Sequence, residues 1–82
     1  MPESQPLRKP LRVCVIIPCY NEQGVIGHTA QVLLAELDAL AARGLAAVDS
    51  FLCCVDDGSR DGTWNEIVDA AKQTGRVKGI KL

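Results

Sequence analysis

Two short, unbroken apolar runs and two amphipathic stripes alternate along the chain. Val13-Cys14-Val15-Ile16-Ile17 is rich in β-branched residues and closed by Pro18, and Phe51-Leu52-Cys53-Cys54-Val55 is closed by Asp56. Runs of this length with no polar alternation predict strands buried on both faces, as in a parallel sheet. Between them, from Gly24 to about Arg43, Ile26, Ala30, Leu33, Leu37 and Leu40 recur at intervals of four and three, one stripe of an amphipathic helix. Asn21 is the expected N-cap, Glu22 places negative charge near the positive end of the dipole, and Gly44 is the expected stop. Residues 45–50 read as a connecting loop. Trp64, Ile67, Val68 and Ala71 mark a second helix. Thr63 and Glu66 are spaced for a capping box, Asp61 sits where an N-cap would, and Gly75 closes it. Val77 to Leu82 starts a third strand.

The order β-α-β-α-β, joined by right-handed crossovers, predicts an α/β fold: a parallel sheet with helices above and below, half of a doubly wound Rossmann-like domain. Residues 1–10 hold three of the four prolines and no apolar period, so they read as a flexible leader, with structure over 11–82. A sheet that stops at a third strand leaves an edge to be paired. The reading therefore expects an incomplete domain that relies on the remainder of a longer protein.

Composition narrows this picture. With 48% apolar and 23% charged residues, the 82-residue chain is globular rather than disordered, and a net charge of −1 implies no nucleic acid partner. The apolar runs are far shorter than the roughly 20 residues of a membrane span, and residues 1–10 carry no signal-peptide pattern, which makes a cytoplasmic location the expectation. Cys14, Cys19, Cys53 and Cys54 lack C-x-x-C spacing and read as reduced, buried small side chains. Only Cys19 lies beside the polar clusters. His28 reads as a surface or partly buried structural residue, and Trp64 as a core residue.

The polar clusters terminate strands one and two, and ligands of open α/β sheets bind outside the carboxyl ends of the strands. Pro18, Tyr20, Asn21 and Glu22 after the first strand, and Asp56, Asp57, Gly58 and Ser59 after the second, therefore face one crevice. Tyr20 offers a flat surface to a base. A carboxylate at the second strand end can accept the N3–H of uracil, or the N1–H and amino group of guanine. Asp56 and Asp57, as neighbours on a strand end, point in opposite directions, so this carboxylate is expected to come from one of the two. Gly58 suits a turn with positive φ.

Pro18-x-Tyr20-Asn21-Glu22 followed by Val55-Asp56-Asp57-Gly58-Ser59-x-Asp61-Gly62-Thr63 resembles the family 2 glycosyltransferases of the GT-A fold, most of all the subgroup making polyprenyl-phosphate sugars, such as dolichol-phosphate mannosyltransferases and bactoprenol glucosyltransferases. Either motif alone is weak; both in order at two strand ends are specific. The resemblance implies inverting transfer of a hexose from a UDP- or GDP-sugar to an acceptor such as polyprenyl phosphate, at the cytoplasmic face of a membrane in the full-length protein. It also implies a nucleotide site at Pro18, Tyr20, Asn21, Glu22, Asp56, Asp57, Gly58 and Ser59. A divalent cation, Mg or Mn, is implied as well, with ligands and acceptor-side residues beyond this sequence. No metal ligand or catalytic base is assigned among residues 1–82, and the segment alone is expected to be inactive. The competing reading is a non-enzymatic nucleotide-binding or receiver-like module, although a receiver carries its acidic pair after strand one rather than strand two.

Overall fold

The computed structural model describes residues 9–82. The expected leader at 1–10 therefore lies, for residues 1–8, outside the described residues. Five elements follow in the order expected: β1 (Cys14–Cys19), α1 (Ile26–Ala42), β2 (Phe51–Asp56), α2 (Thr63–Gln73) and β3 (Val77–Lys81). The strands form one parallel sheet in the order β1-β2-β3, with Cys19 opposite Asp56 and Asp56 opposite Lys81. Leu11 and Ala46 add an isolated parallel bridge ahead of β1, so the expected 45–50 loop is partly paired.

The helical stripe is the one that the spacing predicts. Ile26, Ala30 and Leu37 are buried, Leu33 and Leu40 pack against them, and the same core takes in Leu52, Cys54, Ile67 and Val77. α1 ends in a Schellman motif: Gly44 has φ 74, its N–H donates to Ala41 O, and Leu45 N–H donates to Leu40 O. At the amino ends of the strands, Arg76 donates from Nε to Ser50 O at 2.9 Å and from Nη1 to Asp38 Oδ1 at 2.7 Å, tying α1, β2 and the start of β3 together.

Three expectations need correction. Both helices lie on one face of the sheet, not above and below it. They share one core and touch each other, while among the described residues no helix lies on the opposite face, which carries Ile16, Val55 and Ile80. The reason is topological: when spatial order equals sequence order, two crossovers of the same hand turn the same way, and only a reversal of strand order brings a helix to the other side. Consequently β1 and β2 are not buried on both faces. Ile16 is 67% exposed, and Cys14, expected to be buried, is exposed beside it. Pro18 does not close β1 but lies inside it, opposite Val55, with its missing N–H on the side away from β2, so that no bond of the described sheet is lost.

Candidate functional site

The turns that follow β1 and β2 lie side by side, because the register puts the last residues of those strands opposite each other and Asp57 N–H continues the ladder to Cys19 O at 3.1 Å. The expected crevice residues therefore do gather at one end of the sheet. What they do there divides them into two sets.

One set is spent on holding the turns together. Residues 21–24 belong neither to β1 nor to α1, so their backbone N–H groups have no ladder to join. Each finds a side chain from the second segment: Asn21 N donates to Ser59 Oγ at 2.9 Å, Glu22 N to Thr63 Oγ1 at 2.7 Å, Gln23 N to Asp61 Oδ2 at 3.2 Å, and Gly24 N to Glu66 Oε2 at 2.7 Å. Two bonds return, from Arg60 N to Asn21 Oδ1 at 2.9 Å and from Gly62 N to Gln23 Oε1 at 2.8 Å. Thr63, fully buried, also donates its hydroxyl to Asp61 Oδ1, so that both its donor and an acceptor lone pair are used.

This interlock overturns two expected helix caps. Asn21 does not cap α1, which begins behind Val25 with no side-chain cap and no acidic residue in its first turn, so Glu22 does not serve its dipole either. Thr63 and Glu66 do not form a capping box, because both are turned across to the first segment. Asp61 does serve α2, accepting Thr63 N–H at 2.9 Å from the position just before the N-cap, Gly62. Its bonds, first the one from the Thr63 hydroxyl, hold its carboxyl below the usual carboxylate range. With Asp61 at its start and Glu66 in its first turn, the positive end of α2 is already matched by negative charge.

Asp56 and Asp57 diverge as neighbours on a strand end should. Asp56 is fully buried; its Oδ1 accepts Ser59 N–H at 2.9 Å, and its Oδ2 has no protein partner among the described residues. Asp57 is exposed. Gly58 has φ 82 with open space around it, so the turn conformation, not crowding, selects glycine.

The second set faces outward. Tyr20 is 57% exposed, and Glu22, Asp57 and Arg60 in the same two turns are exposed as well. Pro18 stands on the uncovered face below. Beneath the two turns, Cys19 and Cys54 are buried. Burial pushes the Cys19 thiol up, with the charge of Glu22 adding to it, and burial pushes Cys54 up to about 12. Both remain thiols at neutral pH and are poor nucleophiles. His28 is exposed in the first turn of α1, where it lines a groove together with Glu66, and Trp64 is half-buried against the core with Lys81 Nζ 5.8 Å from its ring centroid.

Among the described residues no group of three or more His, Cys, Asp or Glu side chains is placed to hold a metal ion. Asp56 and Asp57 do not make such a site, since one is buried on Ser59 and the other points to solvent. No described helix is long and apolar enough to cross a membrane.

Gln23, Thr63 and Glu66 matter to this site in ways that their spacing does not disclose. The available signal is negative: four consecutive non-helical N–H groups between a strand and a helix need acceptors from elsewhere. The stretch Ser59 to Glu66 is unusually dense in short oxygen-bearing side chains that can supply them.

The glycosyl transferase family 2 model matches residues 14–82, a range that contains both turns and every bond of the interlock. The chain is 37% identical over 82 residues to the uncharacterized glycosyltransferase YkoT of Bacillus subtilis, covering all of this chain and 23% of that protein. It is 28% identical over 72 residues to an uncharacterized glycosyltransferase of Synechocystis sp., covering 88% of this chain and 21% of that protein. The chain thus spans less than a quarter of the length of these relatives. With β1, β2 and both strand-end turns inside the matched range, the chain belongs to glycosyltransferase family 2.

Proposed function

We propose that the crevice between the two turns receives the nucleoside diphosphate of a sugar donor, in a protein that transfers the sugar to an acceptor. The observation that carries this reading is the pairing of two exposed groups on neighbouring strand ends. Tyr20 supplies a flat ring and Asp57 supplies a carboxylate, and the Asp57 N–H to Cys19 O bond keeps their backbones adjacent. A base stacked on the ring can present its imide edge to the carboxylate, which accepts N3–H of uracil or N1–H of guanine. Adenine offers an acceptor at the equivalent ring position and is disfavoured, since it would leave the carboxylate opposite a lone pair.

The transfer itself is proposed as inverting, from a UDP- or GDP-hexose to an acceptor that a polyprenyl phosphate would satisfy. A divalent cation would offset the charge of the departing diphosphate. Its ligands and the groups facing the acceptor are not assigned to residues of this chain. The open sheet face, with Ile16 67% and Ile80 48% exposed, is proposed to be covered by further chain in proteins as long as the relatives.

The test is a titration of UDP, GDP and ADP into the isotopically labelled protein, followed through backbone amide resonances, a method suited to weak complexes. UDP or GDP is expected to shift residues 19–22 and 56–59, while ADP does so far less. Shifts confined to the groove between α1 and α2, lined by Gln31, Leu34, Asp69, Ala70 and Gln73, or none with any nucleotide, would remove it.

A further inference from the structure

We infer that Asn21 is a positioning residue, whose left-handed backbone and side-chain carbonyl together set Tyr20 relative to Asp57. For its effect on binding this rests on the nucleotide reading above; for its geometric part it does not. Asn21 is the one non-glycine residue with positive φ among the described residues, at 49°. That conformation costs a side chain roughly 1–2 kcal/mol, least for Asn and Asp, and persists only where the surroundings over-determine it.

The surroundings here are specific. Buried Asp56 accepts Ser59 N–H at 2.9 Å, Ser59 Oγ accepts Asn21 N–H at 2.9 Å, and Asn21 Oδ1 accepts Arg60 N–H at 2.9 Å. A continuous series of bonds thus runs from the end of the central strand, across the Asp57 turn, to the peptide directly after Tyr20, and back to the turn. Because Asn21 Oδ1 accepts Arg60 N–H, the side chain ties the two turns together. Only two residue types join tolerance of this φ with an acceptor of this reach: Asn and Asp. Glycine supplies the φ without the acceptor; alanine supplies neither.

These differences define the test. Asn21→Gly, Asn21→Ala and Asn21→Asp are made in labelled protein, and amide shifts and hydrogen exchange are recorded without nucleotide, followed by titration with UDP and GDP. The expected result is that Asn21→Gly and Asn21→Ala move the Tyr20 and Asp57 resonances and speed exchange at Arg60 N–H by about tenfold or more, while Leu52 and Ile67 are unchanged. Nucleotide affinity falls about tenfold with both. Asn21→Asp restores the resonances and brings affinity back to within about threefold. Should Asn21→Ala fail to fold, Asn21→Gly carries the comparison. Unmoved Tyr20 and Asp57 resonances in Asn21→Gly, or a failure of Asn21→Asp to restore them, would overturn the positioning role. Absence of binding by the unsubstituted protein would overturn the nucleotide reading alone, and the resonances would still decide the role of Asn21.

Discussion

The hydroxyl of Thr63 accepts the backbone N–H of Glu22 at 2.7 Å, joining two segments 41 residues apart at a point with no exposure to solvent on the Thr63 side. Because the same hydroxyl donates to Asp61, one side chain satisfies the first turn and braces the start of α2.

Replacing Thr63 by Val keeps the shape and removes both bonds. Glu22 N–H then loses its acceptor, at a cost of about 1–3 kcal/mol. Urea unfolding should show a lower midpoint with an unchanged slope, and Thr63→Ser, which retains the hydroxyl, should recover most of the loss. An undiminished midpoint in Thr63→Val would mean that the bond contributes nothing net.

At Gly79 the constraint is space rather than conformation. A Cβ there would stand 2.7 Å from Ile67 Cγ2 and 3.3 Å from the Trp64 ring, and Ile67 is fully buried and β-branched, with little room to turn aside. Gly79→Ala is expected to destabilise by about 1–3 kcal/mol, through α2 being pushed off β3. Thermal unfolding should fall by roughly 4–8 °C for each of those kcal/mol. An unchanged Tm would show that α2 slides freely on the sheet.

Much of the fold is legible in the periods of the sequence, and the parts that are not share a physical cause. Ile26, Ala30 and Leu37 announce the buried face of α1 because helical geometry alone brings them together. Cys14 and Ile16 do not announce their exposure, since which face of a strand is covered depends on where a crossover turns, and strand order leaves no trace in a five-residue apolar run. The same holds within the site. Tyr20 and Asp57 stand out as the residues that follow two apolar runs. Thr63 and Glu66, by contrast, look like a capping box because their spacing fits one, yet a segment of unpaired N–H groups from the neighbouring turn competes for them and wins. Local rules yield at the position where two turns must be held together.

Acid should loosen that hold at a defined place. The Asp61 carboxyl lies below the ordinary Asp value of about 3.9, chiefly through its bond from the Thr63 hydroxyl. A group whose folded pKa is depressed stabilises the fold above its unfolded value and loses that contribution as pH falls through the folded one. Amide exchange at Gln23 and Thr63, both donors to Asp61, is therefore expected to stay protected at pH 5 and to lose protection as pH falls below about 3.9, with Asp61→Asn weakened at both. A carboxyl titrating at or above the ordinary value would contradict this.

The most direct test of the donor-site account is calorimetric titration of the protein with UDP, GDP and ADP, with an Asp57→Asn variant alongside. The account predicts that UDP or GDP binds at least about tenfold more tightly than ADP, and that Asn at position 57 removes most of the preference. Equal affinity for all three nucleotides, or an unchanged preference in Asp57→Asn, would contradict it.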